Sequence, residues 1–265
     1  MSQTPYQTLT TAVDDGILIV TFNQPEKMNA WSYKMHGEMN HVVLSANGDR
    51  DIDGIVFTGS GKGFCAGADM SAVFGLSEEQ KARARAECGV FDWVNLVRRS
   101  KPIIAAVNGA AVGIGVTLIL PMDQIIASSA AKFALAFVKM GIVPELAASS
   151  LLEKRVGFGV ANRLVLTGDT IGAEEAARIG LIDQVAAPEA LLAEATGLAR
   201  RMGSNPSAAL RATKQLMTLN ASETDLDLVQ TREREALAIC FASAEHKEAV
   251  AAFKEKRKPD FRSVR

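Results

Sequence analysis

The sequence predicts an α/β protein in which parallel strands alternate with helices and a helical region follows. Three apolar segments in the first half of the chain, residues 17–22, 52–58 and 102–107, each run into a turn rich in Gly, Asn or Pro. Segments with helical periodicity lie between them, and parallel strands need such crossovers. After residues 168–181 the composition changes from strands and turns to helices.

The remaining elements are predicted from apolar periodicity and capping side chains. Residues 123–128 form a fourth predicted strand. Ser32 and Ser77 each precede a periodic segment and are predicted N-caps, because a serine hydroxyl accepts a bond from first-turn N–H groups. The predicted helices cover residues 33–47, 78–99, a short segment ending at Pro121, 146–156, 159–166, 173–179, 189–202, 206–220 and 223–256. In the second of these, the side chains expected to face inward are Val90, Phe91, Val94 and Val97.

The charge and the cysteines argue against several classes of function. A net charge of −1 over 265 residues provides no excess of basic surface for nucleic acid or an anionic membrane. Cys65, Cys88 and Cys240 lie far apart without a CxxC pair, so we expect reduced thiols in a cytoplasmic protein and no metal site. The apolar run at residues 112–120 is too short to span a bilayer, and no secretory leader is expected.

Two glycine-rich segments are candidates for a site that stabilises negative charge. Residues 108–117 are predicted to run through a turn into a short helix, whose first N–H groups have no intrahelical partner. Residues 64–69 follow the glycine-dense turn after strand 52–58. Two convergent amides from these segments can stabilise an oxygen anion on a thioester carbonyl. Alternatively, the glycines only permit tight turns and close packing, and spacing alone leaves both interpretations open.

Glu145 is the candidate base. It follows Pro144, lies within an apolar run at residues 142–148, and precedes a predicted helix. An acid in an apolar pocket has a raised pKa and serves as a base toward a weakly acidic carbon. The alternative is an acid in a first helical turn, which the helix dipole favours without any function.

Other catalytic motifs are missing from the sequence. His36, His41 and His246 lie in helical, charge-mixed segments and are expected to be surface or packing residues. No GxGxxG follows a strand and no GxxxxGK[ST] occurs, so the common nucleotide-phosphate loops are not supported. The basic cluster at residues 253–259 is interpreted as a solvated helix end or as a phosphate contact.

Six motifs, in family order, resemble the crotonase superfamily of enoyl-CoA hydratases and isomerases. They are residues 22–30 (FNQPEKMNA), 59–70 (GSGKGFCAGADM), 102–115 (PIIAAVNGAAVGIG), 131–145, 172–183 (GAEEAARIGLID) and 253–261 (FKEKRKPDF). The resemblance covers nearly the whole chain. It implies a spiral of ββα turns that binds acyl-CoA at residues 1–200 and a helical region at residues 201–265 that builds trimers, often paired into hexamers. No cofactor is implied, because coenzyme A is part of the substrate.

The resemblance also implies roles for individual residues. The amides of Ala68 and Ile114 would form the oxyanion hole. Lys254 or Lys256, supplied by the same subunit or by a neighbouring one, would contact the CoA phosphates. The residues expected to contact substrate or CoA are Lys27, Ala30, Ala66, Gly67, Asp69, Met70, Gly113, Thr117, Phe137 and Lys256. The expected walls of the acyl pocket include Met70, Phe74, Trp93 and Phe137.

Departures from the family pattern bear on the reaction. Hydratases of this family use two glutamates, and the corresponding positions here hold Thr117 and Phe137. Peroxisomal-type Δ3,Δ2-enoyl-CoA isomerases, and some bacterial isomerases, carry a single acid at the position of Glu145. Some of them also have a bulky residue at the position of Ile114. The resemblance therefore favours an isomerase that moves the double bond of a 3-enoyl-CoA to the 2-position, with Glu145 transferring the proton.

Two alternatives remain open from the sequence. In a hydratase, Thr117 would help Glu145 to position a water molecule. In a member without turnover, the chain would bind or present an acyl-CoA. The sequence does not specify the length of the acyl chain.

Overall fold

Two β-sheets carry the fold of the computed structural model, which describes residues 6–89 and 92–264. The strands are β1 Leu9–Asp14, β2 Ile17–Phe22, β3 Gly54–Gly59, β4 Gly63–Cys65, β5 Ile103–Val107, β6 Ala110–Val112, β7 Gln124–Ser128, β8 Lys132–Ala134, β9 Thr170–Gly172 and β10 Gln184–Ala186. The helices are α1 Tyr33–Gly48, α2 Glu78–Glu87, α3 Trp93–Arg99, α4 Ile114–Thr117, α5 Ala148–Val156, α6 Phe158–Thr167, α7 Ala173–Arg178, α8 Leu191–Gly203, α9 Ser207–Leu219, α10 Leu226–Ala242 and α11 Ala244–Glu255. Short 3-10 helices occur at Pro25–Lys27, Val138–Met140 and Asn220–Ser222, and a π-helical turn at Met70–Phe74.

The chain passes repeatedly from the first sheet to the second. The first sheet has the strand order β1-β2-β3-β5-β7-β10 and the second has the order β4-β6-β8-β9. Short turns join β3 to β4, β5 to β6 and β7 to β8, so each of these pairs contributes one strand to each sheet. All neighbours are parallel except β1 with β2 and β8 with β9. The helices between these pairs are the crossovers that parallel pairing requires.

Strand β5 lies between the two hydrophobic cores, and all five of its residues are buried. Ile104 and Ala106 pack in the smaller core, which α8 covers with its alanines and Leu191. Ile103, Ala105 and Val107 pack in the larger core between the sheets. Because successive strand residues face opposite sides, a strand buried on both faces reads as a continuous apolar run.

Two asparagines hold the turns between the sheets. The Asn108 side chain accepts a hydrogen bond from the Gly59 amide at 3.0 Å and donates one to the Gly61 carbonyl at 3.1 Å. Asn29 is fully buried and donates to the carbonyls of Ser60 and Gly63 at 2.9 and 2.8 Å. These bonds fix the ends of strands from which the candidate site is built.

The predicted α/β class with parallel strands and helical crossovers is confirmed. Strands 17–22, 52–58, 102–107 and 123–128 correspond to β2, β3, β5 and β7 within two residues, and Ser32 and Ser77 are N-caps. The four strands of the second sheet and the edge strands β1 and β10 were not predicted from residue patterns. Strand β6 in particular lies inside the segment that was interpreted as a continuous turn.

Three predicted helices are wrong in their bounds. The segment 78–99 is two helices, and of its inward residues Val97 is buried and Val94 half-buried, while Val90 and Phe91 lie outside the described residues. The helix predicted from residue 146 begins at Ala148, because Leu146 and Ala147 have left-handed φ angles of 55° and 56°. The run 223–256 is interrupted at Ser243, which caps α11. The division of the chain into an acyl-CoA-binding spiral at residues 1–200 and a helical region at residues 201–265 stays a prediction.

The part of the chain that the structure describes contains no helix long and apolar enough to cross a bilayer.

Candidate active site

The parallel pairing of β4 with β6 brings two loops together. Cys65 is opposite Ala111, so both strands end at the same edge of the second sheet. A Cβ atom on Gly67 would lie 3.6 Å from the Val112 carbonyl oxygen, which places the loop after β4 beside the loop after β6. The two glycine-rich segments identified in the sequence therefore converge.

Each loop presents a backbone amide without a protein acceptor. Trp31 donates to the Gly67 carbonyl and accepts from the Asp69 amide, so the Ala68 N–H between them is unused. Ile114 is the first residue of α4, where an N–H has no intrahelical partner. Within residues 6–89 and 92–264, neither amide donates a hydrogen bond, and both residues line the same cavity.

Two glycines make this arrangement possible. Gly113 has a φ of +53°, a left-handed conformation that turns the chain from β6 into α4. A Cβ atom on Gly115 would lie 2.1 Å from the Cys65 carbonyl oxygen, so α4 rests directly on the backbone of β4. The glycines are thus needed for backbone geometry, and that geometry is what exposes the amide of Ile114.

Glu145 lies beside this pair of amides and is held by Thr117. The Thr117 hydroxyl donates to Glu145 Oε1 at 2.8 Å, whereas its contact with the Ile114 carbonyl oxygen is longer, at 3.3 Å. Thr117 is fully buried, and Glu145 is accessible from the cavity that it lines. Burial of its carboxylate among apolar neighbours raises the pKa of Glu145, and the hydrogen bond from Thr117 opposes that rise.

The cavity that contains these groups has a volume of about 980 Å³. Of the predicted site residues, those that line it are Ala66, Gly67, Ala68, Met70, Gly113, Ile114, Phe137 and Glu145. Phe74 also lines it, but Trp93 does not: the indole is fully buried, packs against Phe57 and donates to the Leu118 carbonyl at 2.9 Å. The expectation that Trp93 forms a pocket wall is therefore wrong.

The remaining predicted residues lie outside the cavity lining. Lys27 forms an ion pair with Asp69 at 2.8 Å, which lowers the pKa of Asp69 well below its usual range. Asp69 also caps the π-helical turn through the amides of Ser71 and Ala72. Ala30 follows the Lys27 turn and is half-buried, and Lys256 is exposed at the C-terminal end of α11. No described contact brings Lys256 to the cavity.

Several residues that line the cavity were not predicted. They include Trp31, Tyr33 and His36 at the start of α1, Arg85 in α2, and Ile142 and Leu146 on either side of Glu145. Trp31 pairs with Ala68 as a bridge, and its ring packs against Tyr33 and His36 at centroid distances of 5.3 and 5.9 Å. The motif at residues 22–30 ends just before these aromatic residues. Nothing in the sequence pattern predicts that Trp31 lies next to Ala68.

The family follows from comparison with known proteins. Residues 12–264 match the sequence model of enoyl-CoA hydratase/isomerase. The chain belongs to this family. Among its relatives, crotonyl-CoA hydratase of Syntrophomonas wolfei subsp. wolfei is 36% identical over 97% of this chain and 98% of its own. The 1,2-epoxyphenylacetyl-CoA isomerase of Escherichia coli strain K12 is 34% identical over 94% of this chain and 96% of its own.

Solved structures confirm the fold assignment. The crystal structure of an enoyl-CoA hydratase from Bacillus anthracis superposes with a TM-score of 0.87 at 28% identity, covering 97% of this chain and 99% of that protein. The resemblance to the crotonase superfamily and the expected α/β crotonase fold are both confirmed. The chain is an enzyme of the enoyl-CoA hydratase/isomerase family, whose substrates are acyl-CoA thioesters.

Proposed function

We propose that this family member isomerises a 3-enoyl-CoA to the 2-enoyl-CoA and that Glu145 is its acid-base residue. The observation that carries the proposal is the pair formed by Glu145 and Thr117 beside two unused amides. A hydroxyl and a phenyl ring stand where the family's hydratases have carboxylates, at Thr117 and Phe137. Glu145 is also the only acid among the described residues that line the cavity.

In the proposed reaction, the thioester oxygen accepts hydrogen bonds from the amides of Ala68 and Ile114. Glu145 removes a proton from C2, and the C–H electron pair forms a C1–C2 double bond while the carbonyl π pair moves onto the thioester oxygen. The product of this step is a dienolate in which the C3–C4 double bond is intact. When the dienolate collapses, the carbonyl re-forms, the C1–C2 π pair moves to C2–C3, and the C3–C4 π pair takes the proton that Glu145 returns to C4. One carboxylate suffices because it acts first as base and then as acid.

The two amides contribute by stabilising the charge that develops on the thioester oxygen. Fixed donors need no reorganisation when that charge appears, and each contributes about 3–4 kcal/mol in other oxyanion sites. The raised pKa of Glu145 brings the carboxylate closer in basicity to a weakly acidic carbon. Thr117 occupies one oxygen of the carboxylate, which leaves the other oxygen for the substrate.

Hydration of a 2-enoyl-CoA is the second candidate, because the names of most relatives are those of hydratases. In that case Glu145 and Thr117 would together hold a water molecule at C3. A member that binds acyl-CoA without turnover is the third. Both alternatives use the same cavity, so binding measurements alone do not separate them from isomerisation.

The proposal is tested by offering the purified protein a 3-enoyl-CoA and a 2-enoyl-CoA in parallel. We expect conversion of the 3-enoyl compound to its conjugated isomer, which is followed by the absorbance of the 2-enoyl thioester. Formation of a 3-hydroxyacyl-CoA from the 2-enoyl compound would instead establish the hydratase. Absence of turnover with both compounds, combined with binding of a saturated acyl-CoA, would establish the binding role.

We also propose how the rest of the substrate and the subunits are arranged. CoA is expected along the loops that carry Lys27, Ala30 and Met70, with Lys256 of a neighbouring subunit near its phosphates.

Helix α10 supports an oligomer because none of its residues is buried in the isolated chain and it carries exposed apolar side chains. A trimer or a dimer of trimers would cover them. The three cysteines are free thiols, which fits the cytoplasmic localisation that we propose.

A further inference from the structure

Arg85 lines the cavity but has no role in the proposed reaction. It lies in the last turn of α2, next to Ala86, and the neighbouring cavity residues Val73 and Phe74 are apolar. Among the described residues that line this cavity, Arg85 is the only lysine or arginine. Arg85 is exposed to solvent, so its guanidinium stays hydrated and is available to a ligand that enters the cavity.

Arg85 differs in this respect from the other basic residues of the same helix. Lys81 pairs with Glu78 at 2.7 Å, and Arg83 pairs with Glu87 at 2.7 Å. Within residues 6–89 and 92–264, no carboxylate forms an ion pair with Arg85 and no acceptor bonds its side chain. Helix α2 therefore pairs Lys81 and Arg83 with its own glutamates and leaves Arg85, exposed at the cavity, without an ion-pair partner among the described residues.

The cation and the proposed base belong to different walls of the cavity. Arg85 is on the wall formed by α1 and α2, which touch where Gly37 approaches Cys88. Glu145 is on the wall formed by the segment before α5. A substrate group that meets Arg85 is therefore distinct from the reacting carbons that meet Glu145.

We propose that the acyl group of the substrate carries a distal carboxylate and that Arg85 binds it. The substrate class is then the CoA monothioester of an unsaturated dicarboxylic acid. A neutral acyl tail would displace water from the guanidinium without replacing its hydrogen bonds. A carboxylate instead accepts two parallel N–H bonds in a charge-assisted pair. This inference rests on the proposed function for the placement of the acyl group in this cavity.

The test compares adipyl-CoA with hexanoyl-CoA, which share a chain length and differ in the distal carboxylate. Both are saturated, so calorimetry measures their binding without turnover. We expect the wild-type protein to prefer adipyl-CoA and Arg85→Gln to reduce that preference by roughly 10- to 100-fold. Arg83→Gln is the matched control, because Arg83 lies on the same helix, is paired with Glu87 and does not line the cavity. It is expected to keep the wild-type preference.

Two results would overturn the proposal. The first is a wild-type protein that binds hexanoyl-CoA as tightly as adipyl-CoA. The second is an Arg85→Gln variant that weakens both ligands and free CoA alike, which would assign Arg85 to the CoA phosphates. Turnover of 3-hexenoyl-CoA and 3-hexenedioyl-CoA is measured separately. Failure of both turnover assays with an intact binding preference would contradict the isomerase and leave the carboxylate site standing.

Discussion

The hydrogen bond from Thr117 to Glu145 links two residues that are 28 positions apart in the sequence. It gives the carboxylate a fixed orientation in a wall where its other neighbours, Ile142 and Leu146, are apolar. A hydrogen bond to the ionised form stabilises that form, so Thr117 limits how far burial raises the pKa of Glu145. Thr117 is thus a positioning residue in the proposed mechanism.

Replacing Thr117 with valine is expected to move the pH profile. Loss of the hydroxyl removes a bond to the ionised carboxylate, so the pKa of Glu145 rises and the acid limb of kcat/KM shifts to higher pH. We also expect kcat on the alkaline side of that limb to fall by about tenfold, because the carboxylate loses its fixed orientation. Thr117→Ser keeps a hydroxyl and should restore the wild-type limb. An acid limb that stays in place in Thr117→Val would contradict the assigned role.

Glu145→Gln is expected to make the protein more stable at neutral pH. The pKa of Glu145 is higher in the folded protein than in the unfolded chain. The folded protein therefore binds the proton of the Glu145 carboxyl group more tightly than the unfolded chain does. The stabilising contribution is therefore present at low pH and is lost as pH rises through the folded pKa. A neutral amide removes the cost of burying the charge above that pKa. Thermal unfolding should show a higher Tm for the variant at pH 7.5 and a smaller difference at pH 4.5; a variant with a lower Tm at pH 7.5 would count against the burial argument.

At the scale of elements, the site depends on the contact between α4 and β4. Gly115→Ala should lower the free energy of unfolding by about 2–4 kcal/mol and reduce turnover, because the new Cβ would clash with the Cys65 carbonyl and displace the Ile114 amide. Gly197→Ala in α8 is the control, since its added Cβ would meet no atom within 4 Å beyond the adjacent backbone of its own helix. That variant should be more stable by about 0.5–1 kcal/mol, as expected for alanine in a helix interior. Chemical denaturation measures both, and equal stabilities for the two variants would refute the close contact.

Element length explains why residue patterns did not predict the second sheet. The four predicted strands are five or six residues long in the structure and consist largely of β-branched and apolar residues. The strands of the second sheet have three residues each, too few to display a period of two. The sequence did contain a signal for the break after α2, because Gly89 interrupts the helical pattern there. In the structure Gly89 has a φ of +80°, which a helix does not allow. The resemblance supplied the ββα turns that periodicity missed.

For the candidate site, the sequence indicated individual residues but not how they come together. Gly113 and Glu145 were recognised from the residues themselves, because a strand that enters a glycine-rich turn and an acid in an apolar run both indicate chemistry. Their convergence depends on the pairing of β4 with β6, which neither short strand reveals in its sequence. The placement of Trp31 and Arg85 follows from tertiary packing of α1 and α2, for which no local pattern exists.

At the scale of the whole molecule, a buried ion pair ties the C-terminal helices to the core. Lys214 of α9 lies 2.7 Å from Asp123 and donates to the carbonyls of Val97 and Lys101 at 3.0 Å. Asp123 also pairs with Arg98 at 2.9 Å. Removing Lys214 leaves Asp123 with Arg98 alone as its ion-pair partner and also removes the two hydrogen bonds from Lys214 to backbone carbonyls, so the loss exceeds that of a surface pair.

Lys214→Met should therefore lower the free energy of unfolding by about 3 kcal/mol. Lys81→Met is the matched control, because its partner Glu78 is exposed and such surface pairs contribute less than about 1 kcal/mol. Denaturant titration of both variants measures the difference. A stability for Lys214→Met equal to that of the control would show that the pair does not anchor α9.

The proposal of isomerisation by a single carboxylate is tested most directly by separating catalysis from binding in Glu145→Gln. We expect kcat for a 3-enoyl-CoA to fall by about a thousandfold or more, because no other acid lines the described part of the cavity. The affinity for a saturated acyl-CoA, measured by calorimetry, should stay within about threefold of wild type, because the glutamine amide keeps the shape of the carboxylate. A variant that still isomerises the 3-enoyl-CoA at a rate near wild type would contradict the central role of Glu145.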